Sequence, residues 1–412
     1  MHSASPIDLV YERQWSSLGN VIKTLARLGR MGRLYGGFPK FRYTRAGIPA
    51  EIIRTFPMAA LWNHAAGRFH LPPSLHLEEP RCVGNWVARH KDLAPTVWAN
   101  GTAHRFLFPK LKESGRTLIL ERGSMEPLEY FLRPQRARAE AGYSYTYDIP
   151  SQFHDEIEQT KLADLILACS AYVRQSYIDR GFAPEKVVDT SFGIDTDALP
   201  FIERAPVHQR PIRLGVVGVI GFRKGLHRLL KIGEWAKRKG LPLEIHFAGP
   251  IQDPEAHEMF ARSSANCVLH GTLKGVAFRQ FLNDCDLYAL PSYEEGLPFS
   301  VLESMSTGLG AIVSHDTGAR EVVQHGTSGL ILEHFSDEEF DRELAPLLAD
   351  SHQILAYGRA ARARILEHYT LDHYFERLAK ALSESTKHSQ WHPAQLNGER
   401  TFEQIAGSGF TS

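Results

Sequence analysis

Residues 213–240 read RLGVVGVIGFRKGLHRLLKIGEWAKRKG, and they decide the fold. Up to Gly221 the run is apolar and lacks the polar alternation of a half-exposed strand, so it predicts a strand buried on both faces and ending in a glycine turn. From Gly225 the period changes. Leu226, Leu229, Leu230 and Trp235 fall near helical spacing until Gly240 stops the helix. A buried strand, a glycine turn and a helix make one βα unit, the element from which parallel sheets are built. The pattern repeats downstream. LEIHFAG (243–249), CVLHG (267–271), DLYALPS (286–292), GAIVSHD (310–316) and SGLILE (328–333) read as strands. Helical patterns lie around VAFRQFLNDC, after Ser300, and briefly at AREVVQHG. The fold class is therefore α/β with a doubly wound parallel sheet.

Upstream, the clearest strand and βα signals are TLILERGS (117–124), ADLILACSAYVRQSYIDRGF (163–182) and KVVDTSFGID (186–195), which predict a second α/β domain. Between the two halves ALPFIERAPVHQRP (198–211) carries Pro200, Pro206 and Pro211, each disfavouring helix in the residue before it, and reads as a linker. The expected division is an N-terminal domain over residues 1–200, a C-terminal domain over 201–370, and a terminal helix and tail over 371–412 crossing back to the first domain. A length of 412 residues suits two domains with real cores. The 47 basic and 47 acidic side chains cancel, which argues against a dedicated nucleic-acid binder. Cys82, Cys169, Cys267 and Cys285 show neither CxxC spacing nor a nearby histidine pair, so neither a zinc site nor a disulfide framework is expected. No stretch reads as a secretory signal or a membrane span, and the expected location is cytoplasmic.

Two stretches could carry chemistry. PSYEEGLPFSVLESMSTG (291–308) takes a strand end through a glycine loop into a helix. Ligands of open α/β sheets bind at the carboxyl ends of strands, and a helix N-terminus behind a glycine loop offers N–H groups and positive dipole to phosphate. Glu295 and Glu303 lie eight apart across that loop; a carboxylate there suits hydroxyl groups or a developing cation better than phosphate. The rival reading is structural: Ser300 and Glu303 spell an S-x-x-E capping box, and Glu295 could be a solvated loop acid. In GVIGFRKG (218–225), Gly218 and Gly221 let backbone approach a ligand, while Arg223 and Lys224 suit a diphosphate. A solvated Arg-Lys pair is the plain alternative. Gly215, Gly218 and Gly221 space as GxxGxxG rather than GxGxxG, which makes a poor nicotinamide fingerprint. The triplets Asp195-Thr196-Asp197 and Asp284-Cys285-Asp286 are read as structural, since a metal needs more ligands than a tripeptide supplies.

Taken together, the strand-Gly-RKG-helix, the FAG strand, the HG turn, NDCDLYALPS, and EEGLPFSVLESMSTG with HDTGAREVVQHGTSGLIL resemble the second domain of glycosyltransferase family 4, retaining enzymes of GT-B fold. The resemblance runs over about residues 186–370. It implies two Rossmann-like domains facing a cleft, a nucleotide sugar on the C-terminal domain, a glycan or lipid-linked acceptor on the other, and no required metal or cofactor. Glu295 and Glu303 match the E-x7-E pair, the first contacting the donor sugar and the second the ribose hydroxyls. Lys224 matches the phosphate-binding lysine, with Arg223 beside it and Gly221 in the turn. The backbone of Gly296, Leu297, Pro298, Phe299 and Ser300 would hold the diphosphate. Three positions depart from the pattern: Val219 replaces a common arginine, Gly310 a proline, and Arg122-Gly123 the His-Gly near the reaction centre. Arg122 is then expected to meet an anionic acceptor or the leaving phosphate rather than to act as a base. The implied function is retaining sugar transfer from a nucleoside diphosphate sugar, of the kind that builds bacterial surface polysaccharide. A nicotinamide-dependent oxidoreductase, a nucleotide-sugar epimerase and a non-catalytic sugar-binding protein remain its rivals.

Residues 1–48 carry Arg13, Lys23, Arg27, Arg30, Arg33, Lys40, Arg42 and Arg45 against only Asp8 and Glu12. Val21, Ile22, Leu25 and Leu28 share a helical face opposite Lys23, Arg27 and Arg30, as in an interfacial helix, so this segment is a candidate for peripheral membrane contact. An ordinary surface helix packed on the core is the equal alternative.

Overall fold

In the computed structural model, residues 5–12 and 17–385 are described. Two parallel sheets organise them. The first has seven strands: β1 (Ile7–Tyr11), β2 (Met31–Gly36), β3 (Ile53–Thr55), β4 (Thr96–Asn100), β5 (Thr117–Arg122), β6 (Leu165–Ala168) and β7 (Val187–Asp189), ordered β3-β2-β1-β4-β5-β6-β7. The second has six: β8 (Ile212–Val217), β9 (Leu243–Ala248), β10 (Cys267–Gly271), β11 (Leu287–Leu290), β12 (Gly310–Ser314) and β13 (Gly329–Leu332), ordered β10-β9-β8-β11-β12-β13. Every pairing is parallel, so helices cover both faces and the central strands are largely buried. In each sheet the strand order reverses once, between β1 and β4 and between β8 and β11. Those switch points leave crevices at the carboxyl ends of the strands, and the second lies between the ends of β8 and β11.

The strands expected downstream of residue 212 form where the sequence places them. AREVVQHG forms a 3-10 turn, Gly318–Glu321, rather than an α-helix. The proline-bearing stretch after residue 198 contains no regular element, yet it is pinned to the second domain. Arg204 donates to the carbonyls of Leu282, Cys285, Thr307 and Gly308, and Phe201 lies against Gly308. After the Ser351–His368 helix the chain returns to the first domain. Thr370 bridges Ile194, and Arg377 donates to the Ser191 carbonyl. The helix Leu371–Ser385 then packs against the helix Leu18–Arg27.

That last contact decides the N-terminal segment. Val21, Ile22 and Leu25 are buried in the first domain's core, and Arg27 pairs with Asp372 of the returning helix. The Leu18–Arg27 helix is a core-packed surface helix with no apolar face left to insert into a bilayer, which corrects the interfacial reading. Among the described residues no helix is long and apolar enough to cross a membrane.

Candidate active site

The β8 and β11 ends come together through glycine. Gly225 adopts φ +73°, and a Cβ there would overlap the Pro291 carbonyl oxygen, so only glycine lets the turn after β8 close against the end of β11. The Tyr293 amide donates to the Arg223 carbonyl and locks the two loops in register. Arg223 and Lys224 are thereby aimed at Glu295. The Lys224 Nζ and an Arg223 Nη each lie 2.6 Å from Glu295 Oε1, and Arg223 also donates to the Glu294 carbonyl. Burial works against ionising Glu295, but Lys224 and Arg223 outweigh it and hold its carboxyl below the usual carboxylate range. The solvated-loop reading fails for Lys224 and Glu295, whose side chains are only 12% and 14% exposed, while Arg223, 34% exposed, is held by its ion pair.

Beyond Glu295 the backbone wedges between the domains. The Gly296 carbonyl accepts from Ser170 Oγ. A Cβ on Gly296 would strike the Gly123 carbonyl oxygen of the first domain. Leu297 is buried, and Phe299 stacks on Phe192 with ring centroids 4.9 Å apart. Pro298 caps the helix Phe299–Ser306 without any side-chain hydrogen bond at that end. The capping box therefore does not form. The helix starts one residue before Ser300, whose Oγ accepts from the Tyr288 hydroxyl at 2.7 Å. Glu303 is left one turn into the helix with no ion pair among the described residues, and burial pushes its carboxyl up to about 7. Gly221 lies beside Asp253, whose carboxylate accepts the Phe222 amide at 2.7 Å and shapes the turn.

Arg122 departs from expectation. It ends β5 buried, with its guanidinium 2.8 Å from Glu156 and the two side chains 7% and 8% exposed. Tyr177 and His104 surround the pair, and burial together with Arg122 pushes His104 down to about 3, leaving it neutral. A cation so engaged is a structural partner to Glu156 rather than a free binder of acceptor or phosphate. The DxD triplets are likewise occupied. Asp195 accepts the amides of Asp197 and Ala198, and Asp286 pairs with Arg210 and accepts the Arg213 amide. The four cysteines are free thiols.

The sequence reading missed the first domain's contribution, the helix Pro127–Glu140. Glu126 caps it, accepting the Leu128 and Glu129 amides, an acid-before-proline start that the sequence EPLEYFLRP displays. Tyr130 sits within the field of Arg223, Glu294 and Glu295. Arg133 pairs with Glu129 and reaches the Tyr293 and Asp316 carbonyls of the other domain. Glu140 meets His227 and Arg228, and Arg228 lies 3.5 Å from the centre of the Tyr293 ring. Glu294 is buried and accepts the Met125 amide across the cleft; burial and Glu295 raise its carboxyl against the opposing pull of Arg223.

Residues 201–364 match the model of the glycosyl transferases group 1 family. The amylovoran biosynthesis glycosyltransferase of Erwinia amylovora is 25% identical over 231 residues, covering 53% of this chain. The chain spans only 56% of that relative's length. The alpha-maltose-1-phosphate synthase of Mycolicibacterium smegmatis is 26% identical over 284 residues, covering 63% of this chain and 70% of its own. Among solved structures, Anabaena HepE in complex with UDP and glucose superposes with a TM-score of 0.67 at 15% identity, over 92% of this chain and 100% of its own. Sucrose-phosphate synthase from Thermosynechococcus elongatus gives the same TM-score at 14% identity, over 93% and 100%. The architecture is the two-domain GT-B fold.

Proposed function

We propose that this chain is a retaining glycosyltransferase that moves a sugar from a nucleoside diphosphate sugar to a glycan or lipid-linked acceptor. The observation that carries this reading is Lys224 and Arg223 converging on Glu295 at the second sheet's switch point, directly before a helix N-terminus that no side chain caps. Glycosyl transfer builds positive charge on the sugar and negative charge on the departing diphosphate. In this reading Lys224, Arg223 and the amides at the start of the Phe299–Ser306 helix take the diphosphate charge. Glu295 then turns from its ion pairs toward the sugar. Because protein cations supply the neutralisation, the reading assigns no part to a metal ion. HepE supports a uridine nucleotide as the first donor to test.

Thermal stabilisation against UDP, GDP, ADP, CMP, dTDP and NAD tests the donor site. A ligand that binds only the native state stabilises it by about 2.7 kcal/mol at a hundredfold excess over Kd. The expected result is a shift with one nucleoside diphosphate; a shift with NAD alone overturns the transferase reading.

Glu303 adds a pH dependence with a definite sign. Its carboxyl is protonated below about 7 and ionised above. The ionised form accepts from two ribose hydroxyls at once, so nucleotide affinity rises with pH. One unit either side of that midpoint changes the ionised fraction, and hence the expected affinity, by about 10-fold. Glu303→Gln flattens the profile in calorimetric titrations; a variant that keeps the wild-type slope removes Glu303 from the ribose site. The same shift acts oppositely on stability. The folded protein holds a proton that the unfolded chain, with an ordinary value of 4.5, has already released. Stability from this group is therefore lost as pH rises from 4.5 toward about 7.

A further inference from the structure

The helix Met58–Arg68 is packed with its large side chains outward. Met58, Leu61 and Trp62, spaced i, i+3, i+4, form one exposed face, while the residues buried beneath it are Ala59 and Ala66. A helix that folds against its own domain does the reverse, burying its bulky face. The inversion continues beyond the helix end, with Phe69 71% exposed and Leu75 51% exposed. Trp62 is held in place, its indole N–H donating to the Leu75 carbonyl at 2.8 Å, and Asn63 bonds the Leu77 backbone. On the preceding helix, Lys40–Arg45, Phe41 is 54% exposed and borders a shallow hollow with Arg42 and Arg45. Both helices leave the carboxyl ends of adjacent strands, β2 and β3, and β3 is one of the two edge strands of the first sheet. Half of the large apolar side chains exposed among the described residues fall in this one stretch of the chain.

Charge identifies what covers it. Between residues 38 and 77 the chain carries Lys40, Arg42, Arg45, Arg54 and Arg68, all exposed, against Glu51 alone. The whole chain has no net charge, so this excess is local. A second copy of the chain docked on the same face would press like charges together. Exposed aromatic and aliphatic groups interleaved with arginine match instead a phase that is apolar within and anionic at its surface. Arginine suits such a boundary because its stem lies along apolar surface while the guanidinium stays wet. Arg42 over the Phe38 ring and Arg45 over Phe41 hold that posture.

We propose that the faces of the Lys40–Arg45 and Met58–Arg68 helices, with the segment through Leu77, form a docking surface for an anionic phospholipid bilayer. The contact lies on the domain opposite the candidate donor site and stands independently of the transferase reading. It replaces the Leu18–Arg27 helix as the seat of membrane contact.

Flotation of the full chain with vesicles of phosphatidylcholine, with and without phosphatidylglycerol, tests it. The wild type is expected to float with the phosphatidylglycerol vesicles and not with phosphatidylcholine alone. Binding should fall as salt rises from about 0.05 to about 0.5 M, since the screening length shortens accordingly. Arg42→Glu with Arg45→Glu, and separately Leu61→Ser with Trp62→Ser, should each lower the bound fraction about 10-fold or more. Leu366→Ser, an exposed leucine on the second domain, should leave binding unchanged. The arginine pair keeps the test decisive if the apolar pair fails to fold. Absence of wild-type flotation, flotation indifferent to both double variants, or a dimer in sedimentation that Trp62→Ser abolishes would each overturn the proposal.

Discussion

Glu295→Gln and Lys224→Ala each lower glycosyl transfer by about 100-fold or more while leaving the fold intact, because each removes a charge placed where the transition state develops its own. The two substitutions fail differently. Glu295→Gln keeps the size of a side chain that is 14% exposed and leaves the loop packed, but takes the negative charge from the site where sugar charge grows. Its loss should appear mainly in kcat. Lys224→Ala removes a cation that serves the diphosphate in both the bound donor and the departing group, so KM for the donor rises as kcat falls. Glu295→Gln leaves Lys224 facing a neutral amide oxygen that still accepts its hydrogen bond, while Arg223 keeps the Glu294 carbonyl and carboxylate. Without Lys224, Glu295 still pairs with Arg223 at 2.6 Å, so the cost in stability stays modest. Steady-state kinetics with thermal melts for both variants check this. Wild-type turnover in both would place the chemistry elsewhere in the molecule.

Why these residues were readable follows from where the information sits. In the second domain LGVV, LYAL and GAIVS stand out as near-continuous apolar runs because those strands are largely buried on both faces, and only LEIHFA is interrupted, by the half-buried Glu244 and His246. Lys224 and Glu295 lie on the turns that directly follow β8 and β11, and the pairing of those two strands brings them together. The first domain hides the same architecture. β1 carries Asp8 at its second position and β2 carries Gly32 and Arg33, which breaks the apolar run. Asp8 is tolerable because its carboxylate accepts the amides of Arg33 and Ala94 from other elements. Gly32 is required because a Cβ would press on that carboxylate at 2.5 Å. No window of sequence contains both halves of such a contact. Two local signals pointed the wrong way, and one helix gave none. The S-x-x-E box was overridden by Pro298, which starts the helix early, and by Tyr288, which takes the serine. The amphipathic Leu18–Arg27 helix is covered by a helix from the far end of the chain. The inverted Met58–Arg68 helix shows no strong pattern to read, because its buried face consists of alanines.

Arg122 is the other case of long-range pairing, and it supplies the second large effect. Glu156→Ala should destabilise the protein by about 3–5 kcal/mol, the usual cost of stranding one member of a buried ion pair. The residues lie on β5 and on the helix Ser151–Thr160, with nothing in the intervening chain to announce the pairing. Solvent cannot rescue the survivor, because both side chains are under a tenth exposed. Nearby groups cannot rescue it either. His104 is held neutral, Tyr177 is pushed away from ionising first by burial, and the Arg122 Nε already has no hydrogen-bond partner. Arg122→Met alone should be comparably costly, since it leaves the Glu156 carboxylate without its cation. The double variant Arg122→Met, Glu156→Leu separates structure from catalysis. Replacing both charges by apolar groups of similar volume is often neutral or stabilising, so the double variant should recover most of the loss seen in either single one. Denaturant titration of the three variants measures that recovery, and transfer assays run alongside measure activity. If the arginine serves only the fold, stability and turnover return together in the double variant. Full stability with turnover still absent would return Arg122 to the reacting centre, and would make its place at the position of the usual histidine a functional substitution.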